Sequence, residues 1–219
     1  MNQILAACIL VTGLSAQASL LNFTAGTKKL AGVTLSPSAV GSVQNSKGAA
    51  TEVKVTLLGA GLREKKVLIV DAKVYTAELF SDNEAGFVRT ADGALTSLAQ
   101  NSNAVALKIT MLRTVSASQL ATSFEEALQA NEISLEGEMK QLLTIVENSA
   151  DGVSGKSLIM LMVKEGADAT TIYYEDTEGA VKQFTGSSSL INKVMAIWLG
   201  QPVDKGLSAC KSQLLQKVY

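Results

Sequence analysis

The chain of 219 residues contains no histidine. Histidine is the side chain that most often acts as a general base, and it is a common metal ligand. Its absence excludes nucleophile pairs in which histidine activates a serine or a cysteine, and it excludes any histidine-ligated metal. No other count in the composition excludes as much chemistry.

Neither sign of charge is in excess, because nineteen basic and twenty acidic residues give a formal net charge of -1. The chain as a whole therefore has no field that would attract nucleic acid or an anionic membrane. We expect no nucleic-acid partner, and we expect any binding to depend on a local site. The content of 47% hydrophobic and 18% charged residues is typical of a globular protein with a substantial core.

Long apolar runs are also scarce. The chain begins with MNQILAACILVTGLSAQAS, in which a short polar start, an apolar stretch and the small-residue sequence AQA follow one another. This pattern is typical of a secretory signal peptide and predicts cleavage after Ala18. The apolar stretch is too short to span a bilayer, so we expect no stable membrane anchor. We predict a signal peptide at residues 1–18 and one mature domain at 19–219, located in the periplasm or secreted.

The chain has two cysteines, and Cys8 lies in the predicted signal peptide. The mature chain would keep Cys210 alone, which excludes an intramolecular disulfide. Cys210 shares the apolar face of a C-terminal helical pattern with Leu207 and Leu214. We therefore interpret it as a small residue of the buried core.

Strand-like and helix-like segments alternate along the chain. Segments 51–58 and 67–80 predict a hairpin in which Gly59 and Gly61 turn the chain. Further strands are predicted at 103–113, 157–164 and on both sides of 176–179, and helices after Ser116, at 135–146, at 188–199 and after Asp204. The links are too short for regular crossover helices. The predicted fold class is α+β, with a large, mostly antiparallel sheet and helices packed on one face.

Two kinds of motif-like segment are interpreted as turns. ADGVSGKS, residues 150–157, nearly matches a phosphate-binding loop, but Ala150 replaces the first glycine and the segment leads into a strand. The carboxylates of DNE, residues 82–84, and YYEDTEG, residues 173–179, lack the alternating ligands of a calcium loop and are interpreted as solvated turns. We therefore predict no cofactor and no metal ion.

Arg63 in GAGLR and Tyr75 in KVYTAELF are twelve residues apart. In a regular strand, an even spacing sends both side chains to the same face of a sheet. A guanidinium and a phenol together can bind a carboxylate or an oxyanion. Taken alone, the spacing favours the simpler alternative that Arg63 pairs with Glu64 or solvent while Tyr75 fills the core.

Four segments, in their order and spacing, resemble the bacterial chalcone isomerase-like proteins. They are LLGAGLREKK, KVYTAELF, LKITMLRTVSASQL and GSSSLINKVMAIWLG. The resemblance extends from about Gly32 to Leu215. It implies an open-faced β-sandwich, in which a large antiparallel sheet and the helices packed over it enclose a cleft.

The resemblance also implies roles for particular residues. In plant chalcone isomerases, an arginine that matches Arg63 polarises the substrate, and a threonine that matches Tyr75 joins a water network. The tyrosine and asparagine of the next helix in those enzymes would fall at Leu120 and Ala127 here. A hydroxyl residue that lines their cleft from a later helix would fall near Ser188. Leu120 and Ala127 cannot donate a hydrogen bond to a developing enolate, and one such donor typically contributes about 2.7 to 4 kcal/mol.

Fatty-acid-binding members of the same fold look similar, because they keep the arginine and place a tyrosine where the isomerases have threonine. The resemblance therefore predicts a non-catalytic protein that binds a small hydrophobic carboxylate, such as a fatty acid. Arg63 would contact the carboxylate and Tyr75 would orient it, while Leu120, Phe124 and Ala127 would line the cleft.

Two alternatives are open. The first is an isomerase, an intramolecular lyase of the chalcone isomerase type, which acts on an unidentified enone with Arg63 as its catalytic residue. The second is a structural or interaction module whose cleft is closed by packed side chains. The sequence does not indicate an oligomeric state.

Overall fold

The computed structural model describes residues 19–67 and 70–219. The predicted signal peptide, residues 1–18, lies outside the described residues. Within them, the chain forms β1 (Asn22–Phe23), β2 (Lys29–Leu30), β3 (Val33–Thr34), β4 (Ser38–Gln44), β5 (Ala50–Val67), β6 (Val70–Ser81), α1 (Ala94–Asn101), β7 (Ala104–Met111), α2 (Ala117–Ala130), α3 (Glu138–Glu147), β8 (Ser157–Lys164), β9 (Ala169–Glu175), β10 (Val181–Ser187), α4 (Leu190–Leu199) and α5 (Lys205–Leu214). None of the described helices is both long and apolar enough to cross a membrane.

Eight of these strands form one antiparallel sheet in the order β1-β4-β5-β6-β7-β8-β9-β10. From β4 onward, strands that follow one another along the chain are also neighbours in the sheet. Helix α1 connects β6 to β7, and α2 and α3 connect β7 to β8. This arrangement confirms the predicted α+β fold with a large antiparallel sheet.

The central strands β7, β8 and β9 are buried on both faces. Side chains alternate along each strand, so that on β7 Leu107 faces the helices and Ala106 faces the opposite side. On that opposite side, Leu21 and Leu35 of the N-terminal segment cover a second apolar cluster. Burial on both faces explains why β8, with the sequence SLIMLMVK, is almost continuously apolar.

Helix α2 begins where its sequence predicts. The Ser116 hydroxyl accepts a hydrogen bond from the Gln119 amide, and the Gln119 side chain accepts one from the Ser116 amide, each at 3.2 Å. The buried face of the helix includes Leu120, Phe124 and Ala127, which recur at helical spacing. The capping box therefore fixes which side chains α2 directs toward the sheet.

The prediction that Gly59 and Gly61 turn the chain is wrong. Both lie within β5, an 18-residue strand that pairs with β6 as far as Val67 and Val70. A Cβ atom on Gly59 would lie 1.9 Å from the carbonyl oxygen of Leu214, and one on Gly61 would lie 2.5 Å from that of Cys210. The two glycines therefore allow the backbone of α5 to approach the strand closely.

The predicted burial of Cys210 is confirmed. The residue is fully buried on the same face of α5 as Leu207 and Leu214. Burial raises the pKa of its thiol to about 12, so the thiol is neutral at physiological pH. Cys210 acts as a packing residue where α5 meets β5.

The turn at YYEDTEG is present, but of its three carboxylates only Glu178 is exposed as predicted, while Glu175 and Asp176 are buried. Asp176 is 5% exposed and accepts hydrogen bonds from the amides of Ala150 and Ala180. Glu175 is also buried and accepts a hydrogen bond from the amide of Leu20 at 2.6 Å. These carboxylates replace missing backbone acceptors, which is a structural role.

We expect the change of Gly59 to alanine to lower the free energy of unfolding by about 1–3 kcal/mol. The added methyl group would collide with the backbone of α5, which cannot move aside as a flexible side chain can. Urea unfolding measures this loss. Thr56→Ala, at an exposed position of the same strand, is the control and should change stability by less than about 0.5 kcal/mol. Equal stability of Gly59→Ala and the unmodified protein would contradict the close approach.

Candidate ligand-binding site

Arg63 and Tyr75 are direct partners across β5 and β6. Residues opposite each other in an antiparallel pair point to the same face, which confirms that these two side chains share a face. The reason is cross-strand pairing and not the even spacing within one strand. Arg63 is 8% exposed and Tyr75 is 7% exposed, so both are buried beneath the helices.

The Arg63 guanidinium already holds a carboxylate. Its Nη1 donates to Oδ1 of Asp204 at 2.7 Å, and its Nη2 donates to Oδ2 at 2.6 Å. Nη1 also donates to the carbonyl oxygen of Glu64. This bidentate geometry is the strongest that a guanidinium forms with a carboxylate. Arg63 therefore meets an anion, but the anion belongs to the protein itself.

Asp204 has a second structural role as the N-cap of α5. Its Oδ1 accepts a hydrogen bond from the Leu207 amide at 2.8 Å. Partial burial by itself would raise the pKa of Asp204, but the hydrogen bonds from Arg63 and from the Leu207 amide outweigh this effect, so its pKa is lower than usual. At neutral pH the Arg63–Asp204 pair therefore consists of two opposite charges that cancel.

Tyr75 contacts the tryptophan of α4. Its hydroxyl oxygen accepts a hydrogen bond from Nε1 of Trp198 at 3.0 Å. Burial, followed by the nearby Cys210, raises the pKa of Tyr75, so its phenol is neutral. No described residue accepts a hydrogen bond from this hydroxyl, which leaves its proton available to a ligand or to water. Trp198 also packs edge-on against Phe124, with ring centroids 5.3 Å apart.

A small cavity, which we call the inner cavity, lies beside these residues. Its lining includes Arg63, Tyr75, Leu120, Phe124 and Ala127, and its volume is about 60 Å³. The structure thus brings together five of the six residues that the sequence analysis assigned to a ligand site. The inner cavity holds only a few water molecules and is well below the roughly 300 Å³ of the smallest ligand pockets.

A larger cavity, which we call the outer cavity, adjoins it. Its volume is about 380 Å³, which falls within the range of ligand pockets. Its lining is mostly polar and consists of Lys65, Val74, Arg113, Thr114, Val115, Ser118, Gln119, Thr122, Ser123 and Glu126. Five of these residues also line the inner cavity, namely Lys65, Val74, Val115, Ser123 and Glu126. The cleft therefore changes from polar outside to mainly apolar inside.

Comparison with known proteins identifies the family. The family model described as chalcone isomerase-like matches residues 37–216. The chain belongs to the chalcone isomerase-like family. Among solved structures, an Arabidopsis thaliana fatty-acid binding protein matches with a TM-score of 0.55 and 14% sequence identity, over 80% of this chain and 96% of that one. The family and the fold predicted from the sequence are thus confirmed. No curated protein matches the chain.

One residue that the resemblance to this family assigned to the cleft lies elsewhere. Ser188 is exposed in the turn before α4 and lines neither cavity. The neighbouring Ser187 hydroxyl donates to the Glu138 carboxylate at 3.0 Å, which holds this turn on the surface. Helix α4 reaches the cleft through residues near its other end, Ile197 beside the inner cavity and Trp198 beside Tyr75.

Sequence reasoning missed Trp198 and Asp204. Asp204 was predicted to begin the last helix, but nothing local connects it to Arg63, which is 141 residues away. Trp198 is the single tryptophan of the chain and lies in the WLG segment that carries the family resemblance. Its position within that segment was therefore a signal for a role at the cleft of a chalcone isomerase-like protein.

We expect Asp204→Asn to lower stability at neutral pH, because asparagine keeps a good N-cap but leaves the buried Arg63 cation without its carboxylate. The pKa of Asp204 is lower in the folded protein, so the pair stabilises the fold above the unfolded pKa of about 3.9. That stabilisation is lost as the pH falls through the folded pKa. Urea midpoints of the two proteins should therefore differ most at neutral pH, and the difference should shrink as the pH falls below about 3.9. A difference that does not change with pH would contradict this role.

Proposed function

We propose that the protein is a non-catalytic member of the chalcone isomerase-like family that binds a small amphipathic carboxylate, such as a fatty acid of short or medium chain length. The observation that carries this proposal is the cleft itself, in which a polar cavity of about 380 Å³ adjoins an apolar one of about 60 Å³. Such a gradient suits a molecule with one charged and one apolar end. The fatty acid bound by the Arabidopsis protein of similar fold supports this ligand class by analogy.

The volumes of the cavities limit the size of the ligand. Most of a bound molecule would occupy the outer cavity, and only its apolar end would enter the inner cavity between Leu120 and Phe124. The Tyr75 hydroxyl, whose proton has no acceptor among the described residues, could orient the carboxylate only if the head group entered the inner cavity. The family resemblance implies a contact between the carboxylate and Arg63. At the end of the guanidinium, where Nη1 and Nη2 hold Asp204, such a contact requires that Asp204 first move away.

The same contacts argue against isomerase chemistry. Adding a hydroxyl to an enone develops enolate charge, which needs donors aimed at it in the transition state. Leu120 and Ala127 supply none, and both guanidinium nitrogens of Arg63 that face Asp204 are engaged. The side chains that line the inner cavity are therefore better suited to holding a ligand than to converting one.

We also propose that the protein is exported, with residues 1–18 as a cleaved signal peptide. The support is the sequence pattern alone. Mass spectrometry of protein from the periplasmic fraction should find a chain that begins at Ser19, and an intact N-terminus there would contradict export by this route.

We expect the protein to carry a bound carboxylic lipid when it is purified. Native mass spectrometry should detect the complex, and denaturing extraction should release the ligand. In calorimetric titrations, decanoate should bind more tightly than hexadecanoate, because the cleft is small. Ser123→Trp should weaken this binding at least about tenfold, since Ser123 is an exposed residue that lines both cavities.

Gln129→Trp is the matched control, because Gln129 is exposed on the same helix and lines neither cavity. It should bind decanoate as the unmodified protein does. A protein that copurifies with no lipid and binds none of these acids would contradict the proposal. Turnover of a chalcone above the rate in buffer would instead support the isomerase alternative.

A further inference from the structure

Two cations line the outer cavity, Lys65 near the end of β5 and Arg113 just after β7. Among the side chains that the structure describes, those of residues 67–69 and 71 excepted, neither has an ionic partner within 4.0 Å, and the ion pairs involve other cations. The one carboxylate in the lining is Glu126 of α2. The outer cavity therefore has an excess of positive charge, although the protein as a whole does not.

Arg63, by contrast, lines the inner cavity and is already neutralised. A ligand carboxylate that replaced Asp204 would gain two hydrogen bonds, but α5 would lose its N-cap and Asp204 would lose its cation. The exchange substitutes one carboxylate for another and leaves an additional helix end unsatisfied. It offers no net electrostatic gain to the complex.

The cost of desolvation also disfavours a ligand carboxylate at Arg63. A carboxylate deep in the inner cavity would meet mainly apolar side chains such as Leu120, Phe124 and Ile197. Lys65 lies where the two cavities join, and Arg63 is already paired. Removing an anion from water is costly unless charges or donors replace the lost hydration. In the outer cavity, the anion keeps contact with water and meets two cations. The apolar end of the ligand gains most in the inner cavity, where it is removed from water.

We propose that the ligand carboxylate binds Lys65 and Arg113 in the outer cavity, while its apolar end points inward toward Leu120 and Phe124 and the Arg63–Asp204 pair stays intact. Arg113 can supply two parallel hydrogen bonds, and Lys65 supplies a compact charge. Glu126 opposes the anion and so limits affinity. This inference rests on the proposed function and specifies the site of the head group.

The test compares decanoate with decanol, which has the same chain but no charge, by calorimetric titration. Lys65→Ala and Arg113→Ala should each weaken the binding of decanoate about two- to fivefold, and added salt should reduce these effects. Neither change should alter the binding of decanol. Glu126→Gln should strengthen the binding of decanoate by a similar factor. Lys73→Ala is the matched control, because Lys73 is exposed on β6 but lines neither cavity.

The variant Asp204→Asn distinguishes between two possible positions of the ligand carboxylate, one at Arg63 and one at Lys65 and Arg113. If the carboxylate bound Arg63, removing the internal competitor would strengthen the binding of decanoate, whereas binding at Lys65 and Arg113 predicts no change. If decanoate bound more tightly to Asp204→Asn and as tightly as before to Lys65→Ala and Arg113→Ala, this inference would be wrong. The proposed function would still stand. Failure of the unmodified protein to bind either compound would overturn both.

Discussion

The ion pair between Arg63 and Asp204 joins the middle of the sheet to the start of the last helix. Asp204 at once neutralises a buried guanidinium and caps α5, so the position of the helix and the charge of the cleft depend on the same side chain. Loss of Asp204 would leave the buried guanidinium of Arg63 without compensation, which is far more costly than the pair is favourable. The Arg63–Asp204 pair beside the inner cavity is therefore electrically neutral and structurally constrained.

The glycines of β5 make this ion pair possible. Gly59 and Gly61 permit contact between the backbones of α5 and the strand, and Gly206 in the first turn of α5 does the same from the other side, since a Cβ there would lie 1.8 Å from the Glu64 carbonyl oxygen. With α5 held so close, Asp204 comes within hydrogen-bond distance of Arg63. The segment GAGLR is thus one structural unit, in which glycines provide the approach and arginine provides the attachment.

An arginine retained from a catalytic family does not by itself indicate a ligand site. In this chain, Arg63 occupies the position of the substrate-binding arginine that the family resemblance implies, yet its hydrogen bonds serve the protein. Tyr75 is in a similar situation, because its hydroxyl accepts a hydrogen bond from Trp198, while its own proton has no acceptor among the described residues. The larger cavity, with Lys65 and Arg113 in its lining, lies farther out.

The sequence by itself determined the features that depend on neighbours along the chain. The capping box placed α2 and its buried face, including Leu120, Phe124 and Ala127, because helix caps and helical spacing are local. The burial of Cys210 followed from the same periodicity. Tertiary structure alone decided the role of Gly59, which depends on α5, the partner of Arg63, which is 141 residues away, and the position of Ser188 outside the cleft. These features depend on how distant elements pack, and pairs of residues far apart in the chain leave no periodic pattern in a single sequence.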